Sequence, residues 1–185
     1  MKIYLILATA LCSSLIYSCK DKEPPIIPNE EELITTLSYT LTNDSTGDSK
    51  VFNFSDLDGD GGNSPVINVE DLAANSSYTG QISLLNESET PAENVLEEVL
   101  EEDEDHQFFY NSDITDLSVS YTDFDGNGNP IGASTKLTTA DAANGDLTII
   151  LRHQPDKSGS GVSDGDITNA GGESDIEVTF SISIQ

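Results

Sequence analysis

Ile176-Glu177-Val178-Thr179-Phe180-Ser181-Ile182-Ser183-Ile184 places five apolar side chains at one parity and four polar ones at the other. Successive strand side chains point to opposite faces, so this period of two predicts a strand with one face in a core and one in water. Leu33, Thr35, Leu37, Tyr39 and Leu41 alternate in the same way with Ile34, Thr36, Ser38, Thr40 and Thr42. Shorter runs of the same kind occupy residues 51–54, 78–85, 117–121 and 147–151, with weaker ones at 66–69 and 131–137. Asp58-Gly59, Asp60-Gly61, Asn127-Gly128 and Asn144-Gly145 fall between them as turn signals. Seven or eight short strands so punctuated predict a mainly β fold: a single antiparallel, immunoglobulin-like β-sandwich over residues 33–185.

One segment departs from this period. Thr90-Pro91-Ala92-Glu93 has the form of a capping box with proline at the first helical position. Val95, Leu96, Val99 and Leu100 then recur at helical spacing, which predicts one short acidic amphipathic helix over 91–104. Its polar face carries Glu97, Glu98, Glu101, Glu102 and Glu104 without a basic partner, so like charges four apart repel.

The N-terminal residues read differently. Lys2 precedes an apolar run from Leu5 to Ile16 that ends at Ile16-Tyr17-Ser18-Cys19. The run has the length of a secretory signal core, roughly 7–15 residues, and is shorter than the ~20 needed to span a bilayer. A small residue directly before a cysteine is the pattern of a bacterial lipoprotein signal, with Cys19 as the lipidated residue. Residues 1–18 are then the signal peptide. Residues 19–32, rich in proline and charge, form a tether that holds the domain off a membrane. Cys12 and Cys19 are the two cysteines of the chain, so the expected domain has neither disulfide nor thiolate to use.

The chain carries 34 acidic residues against 7 basic ones, a net charge of −27. That field keeps a protein soluble, opposes nucleic acid and anionic lipid, and favours cations. Two Asp/Gly loops supply oxygen donors: Asp56, Asp58 and Asp60 in the first, Asp123, Asp125 and Asn127 in the second. Each sets carboxylates two apart with glycine just after, an arrangement suited to structural Ca2+. The bidentate glutamate of a helix-loop-helix calcium site is missing, since Ile67 and Ser134 stand at that position. Asp-Gly and Asn-Gly also serve hairpin turns without any metal.

The stretch Glu87–Asp105 holds ten acids and no base, which suits divalent cations or a basic partner as well as a solvated helix face. His106 follows it at a helix–strand junction and is a candidate transition-metal ligand with Asp103 or Asp105. His153 ends a predicted strand and is a candidate of the same kind. A long connection from Gln154 to Asp175 is the expected ligand-facing loop, through Asp164, Asp166 and Asn169. Asp44-Ser45-Thr46 fits the short O-glycosylation pattern of Bacteroidota envelope proteins. No Gly-x-Ser-x-Gly, paired metalloprotease histidines or phosphate-binding glycine-lysine loop is present, so the expected protein is not an enzyme.

With Glu30-Glu31-Glu32-Leu33-Ile34-Thr35-Thr36, Leu84-Leu85-Asn86-Glu87-Ser88, Asp105-His106-Gln107-Phe108-Phe109 and Leu151-Arg152-His153-Gln154-Pro155, the chain resembles a family of small Flavobacteriia lipoproteins. Its members often carry the label "type 1 periplasmic binding fold". The two α/β lobes that this label describes do not match one short helix among alternating strands. The expectation is a non-catalytic lipoprotein of the outer membrane, facing the periplasm or the surface, that binds a divalent cation, a ligand or an envelope protein. An accessory lipoprotein that captures a solute or metal for an outer-membrane transport system is the alternative, and a surface glycan hydrolase is a third.

Overall fold

The computed structural model describes residues 32–59 and 62–185. The expected signal peptide, Cys19, the tether up to residue 31, and Asp60 lie outside them. Among the described residues there are nine strands: β1 Thr36–Asn43, β2 Ser49–Ser55, β3 Val66–Asn68, β4 Ser77–Leu85, β5 His106–Ser112, β6 Ser118–Tyr121, β7 Ser134–Thr138, β8 Ala143–His153 and β9 Glu173–Ile184. They form a six-stranded sheet in the order β3-β2-β1-β4-β7-β6 and a three-stranded sheet in the order β5-β8-β9. The strand pairs within both sheets are antiparallel.

Strands β1, β4, β7 and β6 hold the places A, B, E and D of an immunoglobulin constant-type domain, and β5, β8 and β9 hold C, F and G. The hairpin β2–β3 is an addition beyond strand A. The alternation in the last strand comes out as expected, with Ile176, Val178, Phe180, Ile182 and Ile184 all buried. They meet Leu37, Tyr39, Leu41 and Phe52 of the other sheet in one continuous core. Each fully buried side chain of this kind contributes about 1.5–3 kcal/mol, so a core of this size holds a domain that has no disulfide. Tyr39 lies across Gly80, where a Cβ would stand 2.5 Å from its hydroxyl. That hydroxyl shares a buried 2.6 Å hydrogen bond with Thr135 Oγ1.

Two expectations change. The helix α1 spans only Val95–Glu101 and starts after Asn94 rather than at the capping box. Glu93 is held outside it by backbone hydrogen bonds in both directions with Asn86, at 3.0 and 3.1 Å. Strand β5 is not among the runs that alternate. Its first four residues are all buried, because Phe108 enters the inter-sheet core while Phe109 faces a second cluster with Ile150, Val162 and Ala170. That second cluster is made by the 154–172 connection folding back over the outer face of β5 and β8.

Among the described residues no helix is long and apolar enough to cross a membrane.

Candidate metal centre

The functional geometry gathers at one end of the three-stranded sheet. His106 opens β5, His153 closes β8, and the two are direct cross-strand partners. Neighbours in such a pair point to the same face. Their parity matches Phe108 and Leu151, so both imidazoles turn inward between the sheets, where they stack with centroids 4.6 Å apart. Asp175 joins them through an irregularity. Ile176 pairs with Leu151, but Ser174 pairs with Arg152, a shift of one residue that leaves Asp175 as the extra residue of β9. Regular alternation would turn Asp175 away from Ile176. The bulge re-aims it inward, a common use of bulges near functional sites. Glu32, in the segment that leads into β1 of the other sheet, brings a fourth donor.

One donor atom from each of Glu32, His106, His153 and Asp175 lies within 4.8 Å of all the others. His106 Nε2 stands 3.5 Å from Glu32 Oε2 and 3.8 Å from Asp175 Oδ2. His153 Nδ1 stands 3.7 Å from Asp175 Oδ1. These separations exceed the hydrogen-bond range of about 2.7–3.2 Å. Asp175 turns one oxygen to each imidazole, and the cluster is somewhat wider than a closed tetrahedral shell, in which donors about 2.1 Å from the ion stand about 3.4 Å apart. The side chains of His106 and Asp175 are fully buried, and those of His153 and Glu32 are 6 % and 10 % exposed.

The tautomer of His106 is set from outside the cluster. Its Nδ1 lies 3.1 Å from the carbonyl oxygen of Glu102, the residue that follows α1 as its C-cap. A carbonyl only accepts, so Nδ1 carries a proton and Nε2 is the ring nitrogen that faces the two carboxylates. Metal-bound histidines are oriented by this kind of outer contact. Neither His106 Nε2 nor Glu32 Oε2 has a hydrogen-bond partner among the described residues. Buried polar atoms are ordinarily satisfied, and a cation between them would satisfy both.

A cleft of about 720 Å³ opens beside the cluster, lined by Glu32, Leu33, Asp56, Asp58, Asp175 and Glu177 among others. The charge around it is one-sided. Partial burial, then the neighbouring charges of Glu93 and Glu32, raise the Glu98 carboxyl above its ordinary value. Gly172 approaches the His153 carbonyl so nearly that a Cβ would stand 2.2 Å from it. With a φ of +69° this position needs glycine on both counts.

The residues singled out in the sequence fall elsewhere, apart from the two histidines. The carboxylates facing His106 are Glu32 and Asp175, not Asp103 or Asp105. Asp103 gives its carbonyl to Lys157, and Asp105 gives its carbonyl to the Gln154 N–H. In the first Asp/Gly loop, Asp56 accepts from the Gly59 N–H and Asp58 from the backbone and side chain of Asn63. In the second, Asp123 accepts from the N–H groups of Gly132 and Ser134, and Asp125 from those of Asn127 and Asn129. Asp125 also meets the Lys157 ammonium at 3.0 Å in a buried ion pair, so this loop already holds a positive charge. In the 154–172 connection, Asp166 caps a 3-10 turn through the Thr168 N–H and Asn169 binds the Ser160 carbonyl. Asp164 is exposed. This connection packs on the sheet through Val162 and Ala170. Asp175 and Glu32 carry no local metal signal, since one is made a donor by a bulge and the other by the packing of two sheets.

Against protein-family models, curated proteins and solved structures, the chain has no match. Fold and site together define an antiparallel, immunoglobulin-like β-sandwich with a buried two-histidine, two-carboxylate cluster.

Proposed function

We propose that the protein is a non-catalytic metal-binding module of the cell envelope, anchored through Cys19 and holding a divalent transition metal at Glu32, His106, His153 and Asp175. The observation that carries this reading is the meeting of four buried or nearly buried donors within 4.8 Å of one another, with His106 Nε2 facing two carboxylates at 3.5 and 3.8 Å. Two imidazoles with two carboxylates suit zinc-class ions, whereas Ca2+ takes six to eight oxygens. Four protein donors also match a structural site more closely than a catalytic one, which keeps a coordination position open. The Asp/Gly loops would then contribute negative field rather than first ligands, with Asp56 and Asp58 lining the approach.

The test is metal content and thermal melting of the purified protein with chelator, Zn2+ or Ca2+. Zn2+ at a hundredfold excess over its dissociation constant adds about 2.7 kcal/mol of stability, which raises the melting temperature by roughly 5–10 °C. Ca2+ gives a much smaller shift. A melting temperature that Zn2+ leaves unmoved rejects the site. Fatty-acid labelling of wild-type protein and of Cys19→Ala tests the anchor separately.

A second reading, capture of the metal for an outer-membrane transport system, is favoured by one feature. The least buried donor, Glu32, lines the cleft, so the centre has a side from which an ion can be handed on.

A further inference from the structure

We infer that Glu32 is the exchangeable donor of this centre: His106, His153 and Asp175 retain the ion while Glu32 yields its place to a nitrogen donor of a neutral or cationic ligand in the cleft. This rests on the cluster holding a metal, as proposed above. The four donors are not equivalent. Three belong to adjacent strands of one sheet, locked by the His106↔His153 pair and by the β9 bulge. Glu32 lies outside any strand, ahead of Thr35, whose N–H makes the first backbone hydrogen bond to β4 at 3.0 Å. Its side chain is the most exposed of the four, and its Oε2 has no hydrogen-bond partner among the described residues. Moving it breaks no described hydrogen bond at that oxygen.

The cleft identifies the incoming ligand by its chemistry. Glu32 and Asp175 line it but the two imidazoles do not, so a ligand approaches the ion from the Glu32 side. About 720 Å³ is within the usual range for a small-molecule site, about 300–1,000 Å³. Asp56, Asp58 and Glu177 oppose an anion there, while Leu33 and Leu57, 58 % and 61 % exposed, offer apolar contact. A neutral or cationic molecule presenting an imidazole or amine nitrogen fits these demands. In the exchange the Glu32 oxygen–metal bond breaks and a nitrogen–metal bond forms. The metal keeps its oxidation state, and the freed carboxylate turns to solvent as an anion.

Co2+ is the probe, since its visible spectrum reports the coordination shell. Wild type, Glu32→Ala, Glu32→Gln and His106→Ala are compared by equilibrium dialysis, Co2+ spectrum, rate of loss to a chelator, and melting. We expect both Glu32 variants to bind Co2+ at least about 10-fold more weakly, since even partners outside the coordination shell carry about 10–100-fold, and to release it faster. Imidazole added to Glu32→Ala should restore a strong four-donor spectrum and acetate should not. His106→Ala should not bind. Wild-type binding and release rates in both Glu32 variants would overturn the inference. So would loss of all Co2+ from variants that melt like the metal-free wild type, or equal restoration by acetate. Wild-type protein that fails to take up Co2+ overturns the metal reading itself, a result distinct from the others.

Discussion

Asp125 shows how one side chain can resemble a metal ligand in sequence and serve as a counter-ion in the fold. Burial raises its carboxyl, but the Lys157 ammonium and the backbone N–H groups of Asn129 and Asn127 outweigh that and hold it below the usual range. A depressed folded value means stability that is present above the unfolded carboxylate value of about 3.9 and lost as pH falls through the folded one. Asp125→Asn keeps an acceptor for the turn and removes the charge that Lys157 faces. We predict a loss on the order of 3 kcal/mol at pH 7, as expected when one partner of a buried pair is removed. Denaturant unfolding checks it. The gap between variant and wild type should be constant from pH 5 to 8 and should narrow as pH drops below about 4. A gap that widens in acid would contradict the ion pair.

Strand β9 makes the same point for an element. Its apolar alternation from Ile176 onward predicts a strand, and the structure has one, yet the residue that matters chemically stands at the single step where alternation fails. Deleting Asp175 removes the extra residue and leaves the pairs Ser174↔Arg152 and Glu173↔His153 able to continue the ladder. The prediction is a folded sandwich with an unchanged β circular-dichroism spectrum and no zinc-dependent rise in melting temperature. An unfolded deletion variant would show that the bulge is required by the fold and not only by the site. Strand β5 was hidden for a related reason. Periodicity reports the contrast between a buried and a solvated face, and β5 is buried on both. The helix was legible in its apolar spacing but not in its start, because the Asn86–Glu93 backbone pairing outside α1 overrides a favourable capping sequence.

Across the whole molecule, the excess of acid becomes a field with a location. Glu98 sits exposed on α1 among Glu93, Glu32, Glu102 and Glu101, and its carboxyl is raised by partial burial and then by these charges. A raised carboxyl favours its protonated form in the folded state, so its ionised form costs stability once pH rises above its folded value. Glu98→Gln removes that cost at neutral pH. We predict that it stabilises the metal-free protein by about 0.2–0.5 kcal/mol, the size of one like-charge pair four apart on a helix. It should also weaken Zn2+ binding slightly, and calorimetry with melting in chelator reads both. Added NaCl should raise the metal-free melting temperature by screening the same repulsion, with less effect on the zinc-loaded form.

Composition and short-range pattern were enough for the class of fold. A period of two, turn dipeptides at short intervals and one helical stretch are local properties, and local physics writes them directly into the order of residues. The proposed metal centre is a different kind of object. His106 and His153 were visible as candidates, but residues 32, 106, 153 and 175 lie far apart along the chain. Only pairing β5 with β8, shifting β9 by one residue and closing two sheets over a common core brings their donors within 4.8 Å of one another. No local signal encodes that meeting, because it is a consequence of how the strands stack.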